Sequence, residues 1–150
     1  MNFLPVSHQK QQQQADCLVA CAAMVLGYLE IPFRYERLYQ VLETERHGTI
    51  FSKLQNLRTL HISLQVQKGN CQQLEDALAI GLPVIVAVNT GELKSYWQIA
   101  VAHAVVVVGI DKKFVYLNDP ALDDAPIPVE LAEFDLAWLE MDNLLCVIRL

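Results

Sequence analysis

The sequence predicts an α+β domain in which a helical layer packs on one side of an antiparallel sheet. Segments with helical character come first and most segments with strand character follow, without the regular alternation of a parallel β-α-β fold. The chain has 150 residues, about one domain's length, with no repeat and no linker. We therefore expect residues 1–150 to form a single domain in which residues 1–8 are flexible. This domain is either the whole protein or one domain of a longer protein.

Three helices are predicted in the first part of the chain. Residues 17–30 are nearly all apolar and rich in alanine, which predicts a helix buried on most sides. Asp16 is a good N-cap for this helix, and Pro32 stops it. Residues 34–43 and 50–60 each place apolar side chains on one face, as amphipathic helices do.

The rest of the chain predicts strands separated by short helices. The predicted strands are residues 61–67, 82–89, 102–110, 113–118 and 143–150. Residues 70–81 predict a short helix, because Asn70 is a capping residue and Gly81 a stop signal. Residues 127–140 begin with prolines and then become a short helix.

Charge and cysteine content exclude several function classes. The formal net charge is -6, from 17 acidic and 11 basic residues, which argues against nucleic-acid or anionic-membrane binding. The longest apolar run, residues 18–26, is too short to span a bilayer, and the N-terminus is not a signal peptide. We expect a cytoplasmic protein with reduced thiols and neither metal nor cofactor. The four cysteines do not have a zinc-binding spacing: Cys17, Cys21, Cys71 and Cys146.

Cys17 lies where the first helix is predicted to begin. A thiol there is close to unpaired backbone N–H groups and to the positive end of the helix dipole, which favours a reactive thiolate. The alternative is a structural cysteine in an alanine-rich helix. We expect Cys21, one turn further on, to be a core residue.

His103 lies at the start of an otherwise apolar strand. Burying an imidazole among valines costs free energy unless its nitrogen atoms find partners. Asp119 is the candidate partner, because it follows the neighbouring predicted strand. Its alternative role is in a turn, since Asn-Asp-Pro is also strong turn chemistry.

The loop between the two strands decides whether the pair can meet. A three-residue loop at 110–112 pairs Gly109 with Lys113 and places His103 directly opposite Asp119, on one face. Shifting the three-residue loop to 111–113 keeps the two side chains on one face as diagonal neighbours. A two- or four-residue loop places them on opposite faces. Asn118 is then the alternative partner.

A cysteine at a helix start and a histidine–carboxylate pair together indicate a cysteine hydrolase. Such a site also needs two hydrogen-bond donors for the developing oxyanion. The backbone N–H of Cys17 is one candidate. The side-chain amide of Gln11, six residues upstream, is the other, although the run of glutamines leaves Gln11 and Gln12 both open.

Two segments carry a resemblance to a known family. "QQQQADCLVACAAMV" resembles the Q-x5-C start of papain-like cysteine peptidases, and above all the bacteriocin-processing, double-glycine leader peptidase family, whose pattern is roughly Q-x4-D-C-G-x-A-C-L. "HAVVVVGIDKKFVYLNDP" resembles the histidine strand and N-D-P segment of the same family. The order and spacing of the residues agree over nearly all of the chain.

The resemblance implies a papain-like fold with Cys17 as nucleophile, His103 as base and Asp119 as orienting carboxylate. It implies that Gln11 supplies the oxyanion-hole amide. It also implies cleavage after a Gly-Gly pair in a leader peptide, often by a domain fused to an ABC exporter. The exporter is then a partner that is either encoded separately or part of a longer protein. The sequence departs from the family at Leu18, where a glycine is usual.

Two other hypotheses remain open. Leu18 adds bulk beside the nucleophile, which favours a catalytically weak module that binds peptides or a transporter. The same triad also serves other thiol-dependent acyl transfers, such as transglutamination. Tyr96 and Trp97, in a polar loop before His103, are expected either to wall the cleft or to anchor the loop.

Overall fold

The computed structural model describes residues 3–150, and in that range it contains one sheet of six strands. The strands are β1 (Ser63–Lys68), β2 (Val84–Asn89), β3 (Ala102–Ile110), β4 (Phe114–Asn118), β5 (Ile127–Glu130) and β6 (Leu144–Arg149). They lie in the order β1-β6-β2-β3-β4-β5, and every neighbouring pair is antiparallel.

Helices cover both faces of the sheet. They are α1 (Cys17–Tyr28), α2 (Tyr35–Val41), a 3-10 helix (Phe51–Leu60), α3 (Cys71–Ala79) and α4 (Leu131–Leu139). The first three pack on one face, whereas α3 and α4 pack on the other. The α+β class is confirmed, but the expectation that the helices lie on one side is wrong. The central strands β2 and β3 are buried along nearly their whole length, so both of their faces need a cover.

Helix α1 begins at Cys17 as predicted, and Leu18–Leu26 are almost completely buried. Asp16 occupies the N-cap position, but its side chain makes no hydrogen bond to the first turn. Its carboxylate instead accepts the backbone N–H groups of Gln12 and Gln13 and the hydroxyl of Tyr35. The prediction of an Asp16 side-chain cap is therefore wrong, because these three donors occupy the carboxylate and fix the preceding loop.

The edge strand β5 was not predicted. Residues 127–130 were expected to lead directly into a helix, but they pair with β4 before α4 begins. Pro128, which lies opposite Tyr116, cannot donate a backbone hydrogen bond. An edge strand tolerates this loss, because one of its sides has no neighbouring strand.

The β3–β4 hairpin has a different register from the predicted one. Gly109 pairs with Tyr116 and not with Lys113, and Asp111 accepts the backbone N–H of Phe114 around a turn with two central residues. Such a turn alone would place His103 and Asp119 on opposite faces. The prediction of direct opposition is wrong.

A β-bulge between Val107 and Gly109 restores the common face. The extra residue, Val108, shifts the pairing so that Val106 lies opposite Asn118. Continuing this register puts Asp119 beside Val105, and His103 is the next residue along β3 with the same orientation. The two side chains are therefore diagonal neighbours on one face.

Residues Phe3–His8 lie against this hairpin. The backbone N–H of Leu4 donates to the carbonyl of the bulged Val108 at 2.7 Å. The Asn118 amide donates to the carbonyl of Val6, and His8 hydrogen-bonds the Asp119 carbonyl at 2.8 Å. The N-terminal segment thus satisfies backbone groups that the bulge and the end of β4 leave unpaired.

Candidate active site

The thiol of Cys17 opens into a cleft of about 740 Å³ between the start of α1 and the start of β3. Cys17 is half-buried, and His103 and Trp97 line the same cleft. Helix α1 packs on β3, which brings the first residue of the helix beside the histidine. The interaction of the Cys17 side chain with His103 is one of the causes that raise the pKa of His103.

His103 and Asp119 form a buried pair. The His103 Nε2 atom lies 2.7 Å from the Asp119 Oδ1 atom, and the side chains are 5% and 0% exposed. Since Nε2 is held by the carboxylate, Nδ1 is the ring nitrogen that remains for Cys17. The structure therefore places the thiol in the same cleft as the imidazole of a hydrogen-bonded imidazole–carboxylate pair.

The Asp119 carboxylate is fully occupied by donors. Oδ1 also accepts the backbone N–H of Ala121, and Oδ2 accepts the Tyr96 hydroxyl and the Trp97 indole N–H, all at 2.9 Å. Burial alone raises the pKa of Asp119, but its hydrogen bond with His103 and the positive charge there lower it below the usual value. Asp119 is thus held as a carboxylate.

Tyr96 and Trp97 contribute more than sequence reasoning assigned to them. Both donate to Asp119, and the Trp97 ring packs edge-on against the His103 ring at a centroid distance of 5.1 Å. Trp97 also lines the cleft. The sequence did contain a signal for this role: two adjacent aromatic residues with hydrogen-bond donors in a short loop. Such donors usually find an acceptor when they are buried.

His103 carries its proton at neutral pH. Burial lowers the pKa of His103, but hydrogen bonds to Asp119 and Cys17 and the negative charge on both side chains outweigh it and raise the pKa to about 9. The arrangement suits a nucleophile with an attached acid–base group.

Gln11 lies at the cleft but its donor points elsewhere. Gln11 is half-buried and lines the cleft, whereas Gln12 is exposed and does not. The Gln11 Nε2 atom donates to the carbonyls of Gln13 and Gln14, at 2.9 and 3.1 Å. Its Oε1 atom is buried and, within residues 3–150, has no hydrogen-bond partner. The structure thus places the amide near Cys17 without aiming its N–H groups into the cleft.

The residue after the nucleophile packs mainly in the core. Leu18 is 1% exposed and belongs to the apolar cluster between α1 and the sheet, although it also contributes to the cleft wall. Cys21 is fully buried, as expected for a core residue, and burial together with the charges of Cys17 and Asp119 raises its pKa. Among residues 3–150, no group of three or more His, Cys, Asp or Glu is placed to hold a metal ion.

The fold and this set of side chains define a class, the papain-like cysteine peptidases. The chain belongs within that class to the Peptidase C39 family, whose family model matches residues 6–147. The resemblance noted in the sequence is thereby confirmed, and the chain is a cysteine peptidase domain. No helix in the part of the chain that the structure describes is long and apolar enough to cross a bilayer.

Known proteins show the same likeness. The chain is 31% identical over 115 residues to the lacticin-481/lactococcin-DR transport/processing ATP-binding protein lcnDR3 of Lactococcus lactis subsp. lactis; the match takes in 75% of this chain and 15% of that relative. A structure described as a C39-like peptidase from Bacillus anthracis superposes with a TM-score of 0.82 at 17% identity, covering 100% of this chain and 98% of the other. A double glycine motif protease from an AMS/PCAT transporter, in complex with its leader peptide, gives 0.76 at 20% identity, with 98% and 93% covered.

Proposed function

We propose that this chain cleaves a leader peptide after a Gly-Gly pair, with Cys17 as nucleophile, His103 as acid and base, Asp119 as orienting carboxylate and Gln11 as oxyanion donor. The observation that carries the proposal is the buried hydrogen bond between His103 and Asp119, with His103 and Cys17 lining the same open cleft. The choice of substrate is supported by the double glycine motif protease whose structure was solved with its leader peptide.

In the first half of the reaction, the Cys17 sulfur attacks the carbonyl carbon of the scissile bond. A sulfur–carbon bond forms, and the carbonyl oxygen becomes an oxyanion held by the Cys17 backbone N–H and the Gln11 amide. When this intermediate collapses, the carbon–nitrogen bond breaks and His103 gives its proton to the leaving amine. A thioester remains on Cys17.

In the second half, water attacks the thioester carbon and gives a proton to His103. The carbon–sulfur bond then breaks and releases the carboxylate product. Asp119 keeps the imidazole in one orientation and stabilises its positive charge throughout, without accepting the proton itself. Because Tyr96, Trp97 and Ala121 hold Asp119, this orientation exists before the substrate arrives.

Gln11 has to turn its amide before it can act. Its Nε2 atom must leave the Gln13 and Gln14 carbonyls, which lie in an exposed loop where water can replace it. The buried Oε1 atom has no partner to lose. In the proposed mechanism, the rotation exchanges two loop hydrogen bonds for one to the developing oxyanion.

The competing hypothesis of a catalytically weak binding module depended on the bulk of Leu18. Most of that side chain is packed in the core, so it takes little room in the cleft. An ABC exporter remains a proposed partner, in line with the transport/processing ATP-binding protein that the chain resembles. The cytoplasmic location is likewise proposed, and the free state of all four cysteines is consistent with it.

The test is incubation with a synthetic leader peptide, read by mass. We expect a single cut after Gly-Gly, loss of cutting when both glycines are replaced by valine, and loss of cutting and of thiol-probe labelling at the active site in Cys17→Ala. Cys71→Ala is the matched control, because Cys71 is a half-buried free thiol outside the cleft. Cutting by Cys17→Ala at the wild-type rate, or an intact peptide with wild-type protein, would refute the proposal.

A further inference from the structure

The cleft around Cys17 is basic although the chain as a whole is acidic. Among the described residues that line the cleft, none is Asp or Glu, whereas Arg46, His47 and His103 are present. The chain carries 17 acidic and 11 basic residues, so a cleft wall chosen at random would carry more carboxylates than cations. Asp119 lies close by, but it is fully buried behind His103 and does not reach the cleft surface.

Arg46 is not neutralised by the protein itself. The ion pairs within residues 3–150 are Lys10–Asp123, Lys53–Glu43 and His103–Asp119. Arg46 takes part in none of them, and its chain neighbour Glu45 is exposed and outside the cleft. A guanidinium group that lines a cleft without a partner is available to a ligand.

The backbone presents Arg46 at a fixed place. Glu45 and Gly48 exchange two backbone hydrogen bonds, at 3.1 and 3.0 Å, around a turn whose central residues are Arg46 and His47. The hydroxyls of Thr44 and Thr49 meet at 2.7 Å behind the turn. The turn is therefore closed at two levels before any substrate binds.

Gly48 brings this turn close to the nucleophile. Its φ of +113° is strained for any residue with a side chain, and its backbone packs near the carbonyl of Ala15, two residues before Cys17. The turn that carries Arg46 therefore packs against the loop that leads into Cys17. A cation on this turn can meet a peptide that lies in the cleft, because Arg46 and Cys17 line the same cleft.

We propose that Arg46 is a specificity residue that selects peptides with a carboxylate close to the scissile bond, an inference that rests on the proposed peptidase function. The guanidinium binds a carboxylate through two parallel N–H donors, which gives direction as well as affinity. Arg46 is exposed to solvent, so salt screens this contact. The carboxylate belongs either to an Asp or Glu side chain or to a peptide C-terminus.

Binding to the Cys17→Ala protein tests the inference without turnover. The ligands are fluorescent Gly-Gly peptides with uncharged residues and blocked ends, in which Glu replaces Gln at one position at a time on either side of the pair. A further pair has a free or an amidated C-terminus. We expect one Glu position, or the free terminus, to bind about tenfold tighter than its uncharged match, with the gap shrinking at high salt.

Variants of Arg46 decide the assignment. In the Cys17→Ala background, Arg46→Gln should reduce the Glu/Gln ratio to about twofold or less, and Arg46→Glu should favour Lys at the same position. Lys112→Glu is the matched control, since it makes the same charge change at an exposed turn at the far end of β3 and should keep the preference. Equal binding of Glu and Gln peptides at every position together with equal binding of the free and amidated C-termini, or a preference that survives Arg46→Gln, would overturn the inference.

Cleavage assays separate this inference from the proposed function. If wild-type protein cuts the neutral Gly-Gly peptide but shows no carboxylate preference in binding or in kcat/KM, the role of Arg46 alone fails. If no peptide is cut, the proposed function fails, and the binding measurements still decide whether Arg46 selects a carboxylate.

Discussion

The two halves of the active-site cleft differ in how completely their polar groups are paired. In the β3 half, the Asp119 carboxylate receives four donors, and the pair that it forms with His103 is almost completely buried. In the α1 half, Cys17 is half-buried, and Gln11 has a buried amide oxygen without a partner. One half rests on strands of the central sheet, and the other on a loop that precedes a helix.

This difference separates two kinds of catalytic preparation. The acid–base half is held in its working geometry before substrate binds, as is expected of groups supported by neighbouring hydrogen bonds. In the proposed mechanism, the oxyanion half is completed only when the Gln11 amide leaves the loop carbonyls. Substitutions in the first half should therefore alter stability and activity together, whereas substitutions of Gln11 should alter activity alone.

Asp119→Asn should have the largest effect of the substitutions that distinguish the two halves. The amide keeps the shape of the carboxylate but removes the negative charge that orients and stabilises the protonated His103. By analogy with other triads, we expect kcat to fall about 10⁴-fold, with a lower unfolding temperature because buried donors lose a charged acceptor. Asp123→Asn, at an exposed carboxylate four residues away, is the control for charge. A loss of less than tenfold in Asp119→Asn would show that the buried pair does not direct the base.

Gln11→Ala should come next and should separate activity from stability. Removing one oxyanion donor costs about 10²- to 10³-fold in kcat in a known peptidase. The free energy of unfolding should change by less than about 0.5 kcal/mol, because the freed carbonyls lie in an exposed loop. Kinetics and chemical denaturation measure the two quantities. Gln12→Ala, at an exposed position outside the cleft, should leave both unchanged. The reverse result would assign the donor to Gln12.

The sequence carried the elements of the fold but not the way in which they pack. Helix α1 and strands β2 and β3 have long apolar runs, which made them easy to predict. The same runs also indicate that both faces of the sheet are covered, because residues 84–88 are all apolar and do not show an alternation of apolar and polar residues. Strand β5 was not predicted because Pro128 argues against a strand unless the strand is known to lie at the edge of the sheet.

Sequence reasoning brought His103 and Asp119 together through an incorrect register. The bulge at Val108 lies within a run of four valines, and identical neighbours give no clue to which one is unpaired. The carbonyl of the bulged Val108 accepts the backbone N–H of Leu4, which is distant in sequence. The orientation of the Gln11 amide likewise depends on loop carbonyls whose positions are set only by folding. The spacing in the sequence therefore identified Gln11 but could not predict which way its amide points.

Tyr96→Phe should give a smaller effect that sharpens the contrast between the two halves. It removes one of the four hydrogen bonds to Asp119 and leaves the ring in place. We expect a loss of about 1 kcal/mol in the free energy of unfolding and a several-fold decrease in kcat. Tyr28→Phe is the control, because the Tyr28 hydroxyl donates to the Gly81 carbonyl at the same distance, outside the cleft. Tyr28→Phe should lose similar stability and keep full activity. Equal activity in the two variants would mean that Tyr96 has only a structural role.

The smallest effect concerns the coupling of the two halves through the His103 proton. Contact with Cys17 helps to raise the pKa of His103 to about 9, so Cys17→Ala should lower that pKa toward 6.5, measured by NMR titration of the imidazole. Folded protein keeps this proton between pH 6.5 and 9 while the unfolded chain loses it, so stability falls as pH rises through that window, by at most about 1.4 kcal/mol per pH unit. In Cys17→Ala the fall should end at a lower pH, whereas Cys71→Ala should keep the wild-type profile. An unchanged His103 titration in Cys17→Ala would mean that Asp119 alone sets the proton affinity of the base, and that the two halves of the cleft are electrostatically independent.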